Sequence, residues 1–127
     1  MTLPLVLLAL LATAASPGHA APDVSATTAQ EAHHAYVTAI NSNDLTTLLG
    51  MLTDDVVFLA PGEKVMVGKA AVTPWLAEYL KAYKTHWDKP VQELIVSGEW
   101  AFERYSYVST DTPVGGGAAV KDTGWGL

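Results

Sequence analysis

The 127 residues contain no cysteine. That excludes disulfides, thiol nucleophiles and thiolate metal sites, without naming a compartment. Positive charge is also scarce: seven Lys and Arg stand against thirteen Asp and Glu, for a formal net charge of -6. The few cations form no cluster, which argues against nucleic acid as a partner. Residues 1–20 have no charged side chain at all. The longest apolar run, Leu3–Ala15, is too short for a spanning helix and suits the core of a signal peptide. Ser16-Pro17-Gly18 breaks it, and Gly18-His19-Ala20 puts small residues where a signal peptidase reads. No Lys or Arg precedes the run, so only the amino terminus supplies the usual positive charge. The reading is a signal peptide over 1–20, cleavage near Ala20, and one domain over 21–127. Such a protein is periplasmic or secreted, with no stable membrane anchor.

What is present is organised around Ala35–Glu63. Upstream, Thr28-Ala29-Gln30-Glu31 fits a capping box with Thr28 as the cap. Ala29, Ala32, His33, Tyr36, Val37 and Ile40 then make one helical stripe. His33 faces the sheet side and His34 points away. No second His or carboxylate stands at ligand spacing, so no metal site is expected, and His33 reads as packed and hydrogen-bonded, not catalytic. Asn41-Ser42-Asn43-Asp44 ends this helix, and Asn43 or Asp44 caps a short second one carrying Leu45, Leu48, Leu49 and Leu52. Val56–Leu59 is β-rich, Pro61-Gly62 turns, and Glu63–Val67 is a second strand. Gly68-Lys69 leads into a third helix with Val72, Trp75, Leu76, Tyr79, Leu80 and Tyr83 on one stripe. That helix starts near Lys69, with a first turn disturbed by Pro74. Lys84–Pro90 reads as a polar link containing Trp87. Val91–Ser97 and Trp100–Ser109 form a hairpin around Gly98-Glu99. Asp111–Gly117 reads as a flexible loop; it lacks the Lys-Ser/Thr and helix start of a phosphate cradle. Ala118–Leu127 begins another strand.

The segments Ala35-Tyr36-Val37, Asn43-Asp44-Leu45, Met51-Leu52, Asp54-Asp55-Val56-Val57-Phe58, Ala60-Pro61-Gly62 and Gly68-Lys69 resemble the start of the nuclear transport factor 2-like superfamily. Within it, the resemblance is to the SnoaL-like domains and the ketosteroid isomerases. It implies an α+β cone: three N-terminal helices packed on a curved, mostly antiparallel sheet, with a pocket between. It also implies a homodimer through the outer sheet face, and a final strand that this chain is missing. Ketosteroid isomerase chemistry takes a carboxylate base, a Tyr and a protonated Asp. Tyr36 matches the oxyanion tyrosine. The base position is Ala60, which takes no proton, so isomerisation by that route is not expected. Asp122 is the nearest match to the protonated Asp. Other relatives use an Asp, Arg and Tyr cluster, for which Glu103, Arg104 and Tyr105 supply similar groups.

The residues add their own hints. Strand alternation puts Ala101, Glu103, Tyr105 and Tyr107 on one face and Trp100, Phe102, Arg104, Ser106 and Val108 on the other. One of Glu103 and Arg104 therefore looks inward, where an unpaired charge is costly, unless it reaches water at a rim. Trp75, Tyr79, Tyr83, Trp87, Trp100 and Trp125 either fill a core or wall a pocket for a small apolar or amphipathic molecule. Candidate catalytic residues are Tyr36, Glu103 and Arg104. Candidate ligand-lining residues are Phe58, Trp75, Tyr79, Trp87, Tyr105, Asp122 and Trp125. No cofactor is implied. Three readings stand: a ligand-binding protein, an isomerase, lyase or hydrolase, and an assembly module without ligand.

Overall fold

The structure, a computed structural model, describes residues 25–127. The signal-peptide reading of 1–20 falls outside them. Helix α1 spans Ala26–Asn41 and α2 spans Leu45–Gly50. The cap of α1 is Ser25, whose hydroxyl accepts the Thr28 amide at 3.0 Å, so Thr28 lies inside the helix and is not its cap. Asp44 caps α2, its carboxylate taking the Thr47 amide at 2.7 Å. Asn43 between them has φ 55°, a left-handed backbone that Asn tolerates better than most residues.

Two short strands follow, β1 (Val57–Phe58) and β2 (Met66–Val67), paired antiparallel across the Pro61-Gly62 turn. Gly68, at φ 86°, then swings the chain into α3, Lys69–Ala82. Its amide donates to the Val56 carbonyl at 2.7 Å, tying the turn to the strand below. Pro74 lies inside α3, as the stripe through Val72 requires.

The main sheet has four strands, β3 (Tyr83–Asp88), β4 (Val91–Ser97), β5 (Trp100–Pro113) and β6 (Val120–Gly126). Lys84–Asp88 is strand and not a link. Its side chains alternate: Thr85 and Trp87 are covered, while Lys84, His86 and Asp88 are exposed. That is period-2 patterning with polar residues in half the slots. Asp111–Pro113 likewise belongs to β5, pairing with β3 from Tyr83↔Pro113 to Asp88↔Val108. β4 pairs with the other half of β5, beginning at Val91↔Tyr105. The register carries over between those two pairs without a slip, so β3 and β4 act as one strand bent at Lys89-Pro90. Proline has no N–H for the ladder, which explains the break there. On its other edge β5 pairs with β6, from Tyr105↔Gly126 to Asp111↔Val120.

The helices lie on one face of this sheet. Ala39, Ile40, Leu48, Val72 and Leu76 meet in the core, bordered by Tyr36, Leu52, Phe58, Trp75 and Trp87. Leu48 is only 2% exposed. Truncating such a residue to Ala typically costs about 2–5 kcal/mol. The core is small and one-sided because the sheet curves away beyond it and leaves a hollow.

Candidate functional site

The hollow measures about 790 Å³. The inward side chains of β5 run along it: Glu103, Tyr105, Tyr107, Ser109 and Asp111. Tyr36 and Ile40 from α1 face them, with Trp75, Leu76 and Tyr79 from α3 and Trp87 from the end of β3. Phe58, Trp75, Tyr79 and Tyr83 form a chain of rings with centroids 5.5, 5.6 and 5.8 Å apart, Trp75 and Tyr79 being stacked. Trp87 and Tyr107 meet at 5.1 Å across the sheet. Ala60 borders the hollow and brings no proton-accepting group.

Two glycines shape the wall. Tyr105 lies over Gly126 and Tyr107 over Gly124, their cross-strand partners. A Cβ at Gly124 would stand 2.9 Å from the Tyr107 ring, and one at Gly126 would overlap the Tyr105 ring outright. With no side chain beneath them, both rings lie down against β6 and leave the space in front of them open.

At one end of the hollow sits a charged group. Glu103 faces inward and its Oε1 lies 2.8 Å from His33 Nδ1. The other ring nitrogen, Nε2, lies 2.9 Å from the Lys89 carbonyl oxygen. His33 is thus packed and hydrogen-bonded, as its place on the stripe implies. Lys89 itself follows the alternation of Thr85 and Trp87 and turns inward, 9% exposed. Its Nζ is 4.2 Å from the centroid of Tyr105, 4.8 Å from Tyr36 and 5.4 Å from Trp87. Burial lowers the pKa of this amine, partly offset by Glu103. Burial also pushes the Tyr36 hydroxyl up to about 12, with Tyr105 and Glu103 adding to the effect. Tyr105 is raised for the same first reason, with Glu103 second.

The opposite end is acidic, and both of its carboxylates accept hydroxyls. Asp111 Oδ1 accepts the Tyr79 and Thr85 hydroxyls, each at 2.6 Å. Burial and then the Asp111 bond drive the Tyr79 hydroxyl to about 12. Asp122 accepts the Tyr107 hydroxyl at 3.0 Å. The sequence-derived lining residues Phe58, Trp75, Tyr79, Trp87, Tyr105 and Asp122 therefore all border the hollow, with Tyr36 and Glu103.

Of the remaining two candidates, Arg104 lies outside the hollow and Trp125 lines only its rim. Arg104 lies on the outer face, exposed, its Nε 3.4 Å from Glu93 Oε2. Alternation along β5 sends it opposite to Glu103, so it is no part of the site. Trp125 touches the rim, but it pairs with Ser106 on the outer side. The residue is 66% exposed, and the Arg104 guanidinium lies 5.9 Å from its ring centroid. Lys89 is not legible as a site residue in the sequence, because Lys84–Pro90 reads as a polar link. The signal for it is the spacing Thr85, Trp87, Lys89, which continues one face through the strand.

No group of three or more His, Cys, Asp or Glu able to hold a metal ion occurs among the described residues. No described helix is long and apolar enough to cross a membrane.

Three helices packed on a mostly antiparallel sheet beside an aromatic hollow define a cone of the nuclear transport factor 2-like kind. The family match is explicit: residues 33–125 match the SnoaL-like domain, and the chain belongs to that family. Among solved structures it is similar to a conserved protein from Planctomyces limnophilus, with 24% identity, TM-score 0.68, and coverage of 76% of this chain and 75% of that one. It is also similar to a ketosteroid isomerase-like protein from Erwinia carotovora atroseptica, with 25% identity, TM-score 0.66, and coverage of 74% and 73%. A third, from Mycobacterium tuberculosis and solved in complex with estradiol-17β-hemisuccinate, has 19% identity, TM-score 0.57, and coverage of 76% and 78%. No curated protein matches.

Proposed function

We propose that this is an exported SnoaL-like protein that binds a small apolar or amphipathic molecule in its cone. The observation that carries the reading is the hollow itself: about 790 Å³, walled by rings, with Lys89, Tyr36 and Glu103 gathered at one end. Apolar walls with a few convergent polar groups are the usual make-up of a small-molecule site. An assembly module without ligand calls for a cone filled by its own side chains, and this cone is not filled. The outer sheet face is proposed as the contact with a second copy, since Ile95, Trp100 and Phe102 lie at least half exposed there. Trp75 and Trp87 line the hollow and make intrinsic fluorescence an on-site reporter. A broad panel of small apolar molecules should contain members that quench this emission and raise the melting temperature. A panel that moves neither signal would overturn the proposal.

One observation favours a second reading, an isomerase, lyase or hydrolase. His33 holds the Glu103 carboxylate at the cavity end where Tyr36 stands with a protonated hydroxyl. Such a pair offers a base and an oxyanion donor. Turnover that persists unchanged in both Tyr36→Phe and Glu103→Gln would remove that assignment.

A further inference from the structure

We propose that the Lys89 end of the cone is an anion hole, and that the ligand is an apolar molecule carrying one carboxylate, seated with that carboxylate on the Lys89 ammonium. The inference rests on reading the hollow as a ligand pocket, and goes further by fixing the chemistry of one end.

The argument starts from donors without acceptors. Lys89 carries three N–H donors and is more than nine-tenths buried, yet none of them has a hydrogen-bond partner among the described residues. It forms no ion pair among those residues either, Glu103 being bonded to His33. Three aromatic faces surround the ammonium and steady its charge, but a ring face supplies no oxygen. The ammonium opens onto the hollow, so an acceptor for its N–H donors has to come from what occupies that space. The Tyr36 and Tyr105 hydroxyls border the same space and likewise make no hydrogen bond among the described residues. Three side chains, Lys89, Tyr36 and Tyr105, thus bring unmatched donors to one end of the cavity.

The carboxyl at this end is already engaged: Glu103 Oε1 lies 2.8 Å from His33 Nδ1, while His33 Nε2 lies 2.9 Å from the Lys89 carbonyl oxygen. The other acids on the lining stand along β5 from the level of Lys89, Asp122 beside Ser109 two residues on and Asp111 four residues on. Asp122 and Asp111 already accept from Tyr107, Tyr79 and Thr85.

The same features select the anion. One ammonium balances a single negative charge, which a carboxylate carries and a dianionic phosphate exceeds. The aromatic walls beyond it require an apolar body.

The test uses the full chain and two probes of one shape, 2-naphthoate and the uncharged 2-naphthamide, titrated by tryptophan quenching. Wild type should bind the naphthoate at least ten-fold more tightly than the amide. Lys89→Met, which keeps an apolar stem, should erase that preference while the amide affinity stays within about two-fold. Lys89→Arg should retain the preference. Equal affinity of acid and amide for wild type overturns the anion hole and leaves the pocket reading standing. This comparison needs no variant, so it decides even if Lys89→Met fails to fold. Naphthoate binding to a folded Lys89→Met with undiminished affinity overturns it as well. If neither probe binds wild type, the pocket reading fails and the anion hole with it.

Discussion

Asn41 and Asn43 fasten the outer edge of β3, and removing them tests how the cavity wall is held. Asn41 accepts the Trp87 amide at 2.7 Å and donates to the Trp87 carbonyl at 2.9 Å. Asn43 does the same for Thr85, at 2.7 and 3.0 Å. The two side-chain amides thus imitate a neighbouring strand along an edge that β5 does not cover. Asn41→Ala deletes two hydrogen bonds, each worth about 0.5–1.5 kcal/mol net, and leaves two half-buried backbone groups short of partners. A loss of about 2 kcal/mol follows, which in a domain of roughly 100 residues lowers the melting temperature by about 8–16 °C. At position 43 a second term enters. The backbone there is left-handed, at φ 55°, so Asn43→Ala adds strain of about 1 kcal/mol that Asn43→Gly avoids. Urea denaturation gives the energies, and amide hydrogen exchange at Trp87 shows whether the bond is lost where it is drawn. A cost below about 0.5 kcal/mol for Asn41→Ala, with Trp87 exchange unchanged, would refute the clamp.

Gly126→Ala should force the Tyr105 ring off β6 and into the cavity, costing about 1–3 kcal/mol and weakening any ligand that lies against that ring; thermal melts with and without a bound probe check both. Gly124→Ala should act in the same direction but less, since its Cβ meets Tyr107 at 2.9 Å. The Tyr36 hydroxyl, with a folded pKa near 12 against 10.0 unfolded, favours the folded state fully below pH 10 and loses that contribution as pH rises toward 12. The amount is on the order of 2–3 kcal/mol, so wild type should lose more stability between pH 9.5 and about 11.5 than Tyr36→Phe; equal losses would exclude Tyr36 as the source. If the proposed outer-face dimer forms, Phe102→Glu on that face should convert it to a monomer in sedimentation velocity while leaving the fold intact.

The sequence carried the helices well because their burial is one-sided and periodic. The stripe from Ala29 to Ile40 and the one from Val72 to Tyr79 each need a single apolar face, and that face is visible as spacing. The strands were harder where the inward face is polar. Thr85 and Lys89 are buried on the face that Trp87 shares, so a hydropathy reading of Lys84–Pro90 sees a link. Arg104 and Glu103 were equivalent on paper, because alternation gives two faces but does not say which one meets the helices. The packing of α1 decides it: His33 lies over Glu103 and takes it as a partner. Asn41 and Asn43 read as ordinary helix-ending residues, since their partners on β3 lie more than forty positions away in the chain.

The site and the bend in the sheet have one origin. Pro90 cannot donate to a ladder, so pairing along β5 is interrupted where β3 passes into β4. The Lys89 carbonyl next to that break is taken by His33 from α1. The helix is thereby pinned to the strand by the same imidazole that orients Glu103, and the Lys89 side chain is left pointing at the rings with no acceptor. Deleting His33 would remove the pin and the carboxylate's partner together, so its loss says little about chemistry. Lys89 is different, because its backbone carries the structural bond and its side chain carries the charge. Substitution there changes the cavity while leaving the bend in place, which makes it the position where structure and function separate.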